Sequence, residues 1–173
     1  PNGTPIYQAR IIPFRGSWVE FATDINHVLY VYIDRRKKFP ATTLLRALGF
    51  TTEEEILNLF SLIEVVKLAE VKDDDLMGRT VAQDVLDAAT GEIFASKDDK
   101  LNEENIAQIR TSTVTEIKLI TSSTNYEHDL IINTLKKDSS QTKEEALFAI
   151  YRQLRSGEAP DLETAESLID KLF

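Results

Sequence analysis

Apolar and polar residues alternate along three stretches near the start of the chain, and this two-residue period predicts β-strands. The predicted strands cover residues 6–12, 17–21 and 28–33. The third stretch is rich in β-branched and aromatic side chains, which fit a pleated, half-buried surface. Turn-forming residues separate these stretches, with Pro13 after the first and Asp24-Ile25-Asn26 before the third. The N-terminal part therefore predicts short strands joined by turns.

A helical period replaces this alternation further along the chain. A short helix is predicted over residues 42–48, and a second one begins behind a capping box in residues 51–55. The C-terminal part is helical as well, with a short helix predicted over 130–135 and a longer one over 142–154. Pro160 is expected to start the last helix.

The middle of the chain has a pattern of its own. Strands are predicted over residues 63–71, 80–86 and 115–120. A turn over residues 89–91 connects the second of these to a further strand over residues 92–95, and the two form a hairpin. Asn102 can cap a helix in the same region. These elements predict a small, separate α+β unit.

The charge changes at the same place as the pattern. The chain carries a net charge of -9, yet residues 1–46 hold 7 Lys and Arg against 3 acids, whereas residues 62–133 hold 7 against 15. A nucleic acid would approach the first region and be repelled by the second. Together with the change of pattern, this asymmetry predicts an α+β chain made of two units of different origin.

A run of four cations, Arg35 to Lys38, follows the third predicted strand and is preceded by Asp34. Trp18 is the single tryptophan of the chain and stands upstream of the run. Cations beside an exposed aromatic ring suit a nucleic-acid strand, because they neutralise phosphate and offer a flat face to a base. The same pattern also fits a solvated strand end beside a core tryptophan, and these residues alone do not decide between the two.

Other chemistry finds little support in the sequence. Glycines do not cluster into a phosphate-binding loop, and His27 and His128 lack the spacing of metal ligands. The triplet Asp73-Asp74-Asp75 has no calcium-loop context, and the chain contains no cysteine. No apolar run approaches the ~20 residues that span a bilayer. We therefore expect no catalytic constellation, no cofactor, no metal site and no membrane contact in this chain.

Several long blocks of the sequence resemble the β subunit of bacterial DNA-directed RNA polymerase. These blocks are Ala9–Trp18, Ile33–Thr42, Leu45–Glu53, Ala146–Leu154, Arg155–Pro160 and Ala165–Leu168. The resemblance covers roughly residues 5–61 and 130–173 and implies the second lobe of β, at the wall of the downstream DNA channel. The residues between them sit where some β subunits carry a lineage-specific insertion. The resemblance therefore implies a discontinuous lobe of short strands and C-terminal helices, residues 1–62 and 130–173, which is interrupted by an inserted α+β domain, residues 63–129. The start without methionine and the abrupt end at Phe173 lead us to expect an excised piece.

The resemblance also implies roles for individual residues. Trp18 would stack on an unpaired base of the non-template strand, and Asp34 would accept hydrogen bonds from a base edge. Arg35, Arg36 and Lys37 would hold the DNA backbone electrostatically.

By the same resemblance, the parent enzyme is a nucleotidyltransferase that synthesises RNA on a DNA template in the bacterial cytoplasm, at the nucleoid. Its magnesium is held by another subunit. The implied partners are DNA, the β′, α and ω subunits and a sigma factor. An alternative from another class is a protein-interaction module, in which the acidic insertion docks a transcription factor or a polymerase subunit and DNA contact is incidental.

Overall fold

The computed structural model describes residues 3–122, 126–155, 157 and 161–172, and for Glu127 it describes the backbone alone. Pro160 and Phe173, which the sequence analysis singled out, lie outside the described residues. The chain forms two compact units. The first unit comprises Pro1–Ile56 and Thr124–Phe173, and the inserted unit comprises Leu57–Ser123. The boundaries expected from the sequence, at 62/63 and 129/130, lie a few residues further along the chain.

The described residues contain eight strands and seven α-helices, which makes the chain a mixed α+β protein as predicted. The strands are β1 Gln8–Ile11, β2 Val19–Thr23, β3 Leu29–Ile33, β4 Phe39–Pro40, β5 Ile63–Lys67, β6 Val85–Leu86, β7 Ile93–Ala95 and β8 Glu116–Ile120. The helices are α1 Ala41–Ala47, α2 Glu53–Leu59, α3 Asp73–Leu76, α4 Glu103–Thr111, α5 Tyr126–Lys137, α6 Lys143–Leu154 and α7 Leu162–Asp170.

Helix starts follow the capping residues that the sequence shows. Thr52 and Glu55 form the predicted capping box: Glu55 N donates to Thr52 Oγ1 at 3.1 Å, and Thr52 N donates to Glu55 Oε2 at 2.9 Å. The helix predicted over 130–135 is longer than expected, because α5 spans Tyr126–Lys137. The cap of α7 is Asp161, whose Oδ1 accepts from Thr164 N at 2.7 Å, and the sequence analysis missed it.

The sheet of the first unit is antiparallel throughout, in the order β1-β2-β3-β4. Because side chains alternate along a strand, residues of one parity share a face. Odd-numbered residues such as Val19, Val31 and Ile33 are buried and face the helices. The even-numbered residues of β2 and β3, together with Trp18 and Asp34 at their ends, form the opposite face.

Apolar side chains fill the space between the sheet and three helices of the first unit, α1, α6 and α7. The buried residues of this core are Val19, Val31, Ile33, Phe39, Ala41, Leu44, Ala47, Ala146, Leu147, Ile150, Leu154, Ala165, Ile169 and Leu172. Burial of this apolar area drives folding of the unit at about 25 cal/mol for each Å² removed from water.

The loop before β2 lies close to the end of α7. Gly16 has φ +133°, and a Cβ added to it would meet the carbonyl oxygen of Leu172 at 3.0 Å. A side chain is therefore excluded both by the backbone conformation and by the neighbouring carbonyl. This close approach fixes the segment that leads directly into Trp18.

A buried ion pair joins α1 to the segment after α5. Arg46 Nη1 donates to Asp138 Oδ2 at 2.7 Å, and both side chains are almost inaccessible to water. Thr42 Oγ1 donates to the same oxygen at 2.7 Å, and Thr43 Oγ1 donates to Oδ1 at 2.9 Å. The backbone N–H and hydroxyl of Ser140 donate to Oδ1 at 2.9 and 2.6 Å. The carboxylate is thus fully compensated, as a buried charge must be.

The inserted unit is built around the ladder of β5 and β8 and the short hairpin of β6 and β7. Its buried core consists of Leu68, Leu76, Val81, Val85, Ala95, Leu101, Ile106, Ile109, Ile117 and Leu119. Thr121 N donates to the carbonyl of Leu62 at 2.9 Å, so that the chain enters and leaves this ladder at adjacent positions.

Two strand predictions for this unit were too long. The strand expected over 63–71 ends at Lys67, where a single 3₁₀ turn follows. The strand expected over 80–86 is reduced to Val85–Leu86, because Asp84 Oδ1 takes the backbone N–H of Lys97 at 2.7 Å and replaces a ladder hydrogen bond. The acidic triplet forms the first turn of α3, where the unpaired backbone N–H groups favour negative charge.

Replacing Asp138 with Ala should destabilise the 173-residue chain by about 3–5 kcal/mol, because it leaves Arg46 charged and buried without a partner. Glu166 is the matched control, since its carboxylate pairs with Lys143 at 3.0 Å on the surface. Glu166→Ala should cost no more than about 1 kcal/mol. Urea denaturation followed by circular dichroism measures both, and equal losses would contradict the role given to Asp138.

Candidate nucleic-acid interface

Trp18 and Asp34 lie opposite each other where β2 begins and β3 ends. Asp34 N donates to the carbonyl of Trp18 at 2.9 Å, and Trp18 N donates to Asp34 Oδ1, also at 2.9 Å. These two hydrogen bonds hold together two residues that are 16 positions apart in the sequence. The pairing continues the β2–β3 ladder by one step beyond Val19 and Ile33.

The chain reverses at Asp34 and Arg35 in a tight turn. Arg36 N donates to the carbonyl of Ile33 at 3.0 Å, and the two central residues have φ +49° and +57°. Left-handed values at both central positions are the pattern of a type I′ turn. Aspartate adopts this conformation comparatively easily, whereas arginine pays a steric cost for it. Asp34 therefore has a structural reason to precede the cations, which the sequence analysis did not consider.

The ring of Trp18 is partly exposed, with 40% of the residue accessible to water. The alternative of a core tryptophan is therefore wrong. Two guanidinium groups lie near the ring: the Cζ of Arg10 is 5.4 Å from its centroid and that of Arg35 is 5.9 Å away. Both distances fall within the range of cation–π attraction. One guanidinium group from β1 and one from the turn after β3 therefore hold the ring at the surface.

Arg10 is itself held in place from the neighbouring strand. Its Nε and Nη2 donate to Glu20 Oε2 at 2.8 and 2.6 Å, and Gln8 donates from Nε2 to Glu20 Oε1. The Arg10 guanidinium and then the Gln8 amide hold the pKa of Glu20 below its ordinary value. Arg10 and Glu20 lie opposite each other in the register of β1 and β2. The sequence alone does not show this pairing, because it depends on how the two strands are aligned.

The cations of the basic run have different surroundings. Arg36 donates from Nη1 to the carbonyl of Leu154, at the end of α6, and Lys38 Nζ lies 3.9 Å from the centroid of the Tyr30 ring. Lys37 is exposed. Of the five residues predicted as a DNA site, Trp18, Asp34 and Arg35 line one open groove of about 330 Å³. Arg36 and Lys37 do not line it.

This groove combines a flat aromatic face, a carboxylate and a guanidinium. Asp34 Oδ1 is engaged by Trp18 N, whereas no donor from the described part of the chain binds Oδ2. Such a set can stack on a ring, accept a hydrogen bond and attract an anion. Within the described ranges, no group of three or more histidine, aspartate or glutamate side chains is placed to hold a metal ion. No described helix is both long and apolar enough to cross a membrane.

Comparison with known proteins extends over the whole chain. The family model "RNA polymerase Rpb2, domain 2" matches residues 1–118. The DNA-directed RNA polymerase subunit beta of Flavobacterium psychrophilum is 44% identical over 189 residues, which cover 99% of this chain and 15% of that protein. The corresponding subunit of Chlorobium chlorochromatii is 45% identical over 177 residues, 100% of this chain and 14% of that protein. The chain therefore spans only about one seventh of the length of these relatives.

The ion pair of Arg10 and Glu20 generates a pH-dependent prediction. Because the folded-state pKa of Glu20 is lowered, the pair contributes stability above the unfolded pKa of about 4.3 and loses it as the pH falls through the lowered value. An NMR titration of the Glu20 carboxyl carbon should have its midpoint below that of an ordinary glutamate. Arg10→Ala should raise the midpoint, and Gln8→Ala should raise it less. An unchanged midpoint in Arg10→Ala would contradict this account.

Proposed function

Since the chain belongs to the β-subunit family of DNA-directed RNA polymerases, we propose that it serves DNA-dependent RNA synthesis as a part of the enzyme that positions DNA. Nucleotide addition and its magnesium ion then belong to other parts of the enzyme, and this chain contributes no catalytic residue. Its partners are DNA, the β′, α and ω subunits and a sigma factor, in the bacterial cytoplasm at the nucleoid.

The observation that carries this proposal is the groove formed by Trp18, Asp34 and Arg35. An unpaired base can stack on the exposed ring of Trp18, a contact that contributes about 1–3 kcal/mol for each base. Duplex DNA does not offer its base faces, so the groove suits a strand that is locally separated. We propose that this strand is the non-template strand near the downstream edge of the melted region.

Asp34 gives the same groove a means of reading a base. Its Oδ1 is used by Trp18 N, which fixes the direction of the carboxylate and leaves Oδ2 to accept from amino or imino groups. A carboxylate repels phosphate, so the nearby cations are needed to hold the strand against it. Arg35, whose guanidinium also lies near the Trp18 ring, and the exposed Lys37 supply this positive charge at the surface. Arg36 contributes its charge while one of its N–H groups is bound to Leu154.

Replacing Trp18 with Ala in the assembled polymerase should shorten the lifetime of the open promoter complex by roughly 5–150-fold, because about 1–3 kcal/mol of stacking is lost. Trp18→Phe should retain a large part of the lifetime, since a smaller aromatic face remains. Filter-binding or fluorescence assays of open-complex decay measure this effect.

Phe50 provides a matched control, because it is an aromatic residue of similar exposure that does not line the groove. Phe50→Ala should leave the decay rate within about twofold of the unmodified enzyme. If Trp18→Ala changes neither open-complex lifetime nor sequence-dependent pausing, the stacking role is excluded.

A second candidate function concerns the inserted unit. Leu86 and Ile93 are cross-strand partners in the β6–β7 hairpin, and they are 48% and 53% exposed. Two exposed acidic residues are near them in the sequence: Asp84, two residues before Leu86, and Glu92, directly before Ile93. An apolar pair framed by acids suits a basic, partly apolar segment of another protein. We propose that a transcription factor or a polymerase subunit of this character docks there.

Replacing residues 63–120 with a short Gly/Ser linker separates the two functions. Because Leu62 and Thr121 are adjacent, the remaining first unit should keep its helical circular dichroism signal. The assembled enzyme should keep its open-complex lifetime. It should lose its salt-sensitive binding of the docking factor, which titration calorimetry with purified transcription factors and polymerase subunits measures. The double variant Leu86→Lys/Ile93→Lys is the control with an intact insertion, and it should lose the same factor. Unchanged binding of every such factor would exclude the docking function.

A further inference from the structure

The N-terminal strand leaves an unusual amount of apolar surface uncovered. All four residues of β1 are exposed. Large apolar side chains crowd the segment around it, and we call them the β1 strip: Ile6, Tyr7, Ile11, Ile12 and Phe14. Folded proteins usually protect an edge strand with charges, proline or a covering element, because an open edge invites another strand to pair with it.

Part of the β1 strip continues the core face of the sheet. Ala9 and Ile11 pair with Phe21 and Val19, and they share the face that packs on the helices. Val19 is 1% exposed, whereas its neighbour Ile11 is 54% exposed. The helices of the first unit thus cover β2 and stop short of β1.

A groove of about 550 Å³ follows this uncovered face. Its floor is formed by the sheet, including Phe21 and Leu29, and its sides by Tyr7 of the β1 strip and by Tyr126 and Leu130 of α5. The rings of Tyr7 and Tyr126 meet edge to face at 5.4 Å. This mostly apolar lining suits side chains of an added strand.

The backbone of β1 is available along the same edge. Thr23 N donates to the carbonyl of Tyr7 at 2.9 Å, so that Tyr7 and Thr23 are a hydrogen-bonded pair. Because such pairs alternate in an antiparallel ladder, the amides of Ala9 and Ile11 face β2, and those of Gln8 and Arg10 point to the free edge. No strand of the described residues lies beyond β1. The one charged side chain of β1, Arg10, is tied to Glu20 across the ladder and does not guard that edge.

We propose that the β1 strip is covered, in the full-length subunit, by an extended apolar segment of the same polypeptide that lies outside these 173 residues and adds a strand to the free edge of β1. The relatives are long enough to supply it, because this chain spans only 14–15% of their length. A tethered segment reaches an effective concentration in the millimolar range, far above that of a second copy or a separate subunit. This inference does not depend on any contact with DNA.

Amide hydrogen exchange at residue resolution tests the proposal. In the 173-residue chain, measured by NMR, the amides of Gln8 and Arg10 should exchange rapidly, while those of Ala9 and Ile11 should be protected. In the full-length subunit within the polymerase, measured by mass spectrometry with electron-transfer fragmentation, Gln8 and Arg10 should slow by at least about 100-fold. Ala9 and Ile11 act as internal controls that stay protected in both. Rapid exchange of Gln8 and Arg10 in the full-length subunit would overturn the proposal.

The identity of the covering segment is tested by a photo-crosslinking residue, p-benzoylphenylalanine, at Tyr7 in the polymerase. The same residue at Ile25 is the control, because Ile25 is equally exposed and lies in the turn between β2 and β3. Crosslinks from position 7 to a distant part of the same polypeptide support the proposal. Crosslinks to another subunit would overturn the proposal. So would amide protection of Gln8 and Arg10 that rises with the concentration of the 173-residue chain alone, because that result indicates pairing between two copies.

Discussion

The carboxylate of Asp138 is the point on which the geometry of the first unit depends. It accepts five hydrogen bonds from four residues, Thr42, Thr43, Arg46 and Ser140, in a place that water hardly reaches. A buried ion pair contributes little net stability compared with an apolar contact, but it tolerates no misplacement of its donors. The position of α1 is therefore set by Asp138. Because α1 follows β4 without a break, the same constraint reaches the hairpin that carries Asp34.

Internal contacts change the electrostatic picture that a count of charges suggests. Arg46 is neutralised inside the first unit, Arg10 is paired with Glu20, and Lys38 lies over an aromatic ring. Two of the seven cations in residues 1–46, Arg10 and Arg46, are thus paired with carboxylates, and the positive field at the surface is weaker than the count of cations implies. For the DNA contact proposed above, this favours holding a strand in one orientation over attracting DNA from a distance.

Local patterns in the sequence predicted most of what is local in the structure. Three strands of the first sheet, the capping box of Thr52 and the cap of α4 were all visible as short-range signals. The resemblance brought Trp18 and Asp34 together, although nothing in their spacing indicated a hydrogen-bonded pair. Arg10 and Asp138 were missed for the same physical reason: their partners are set by strand register or lie 92 residues away. Long-range contacts of this kind produce no periodic pattern of apolar and polar residues in the sequence.

The joining of the inserted unit at Leu62 and Thr121 has a consequence for how such chains vary. An insertion whose two ends already meet imposes no stretch on its host, and each doubling of its length costs only about 0.6 kcal/mol in loop-closure entropy. Relatives do carry extra residues within the aligned stretch, which extends over 177 to 192 positions against 173 here. Since Leu62 and Thr121 are already hydrogen-bonded, a change in the length of the segment between them should cost the first unit little free energy.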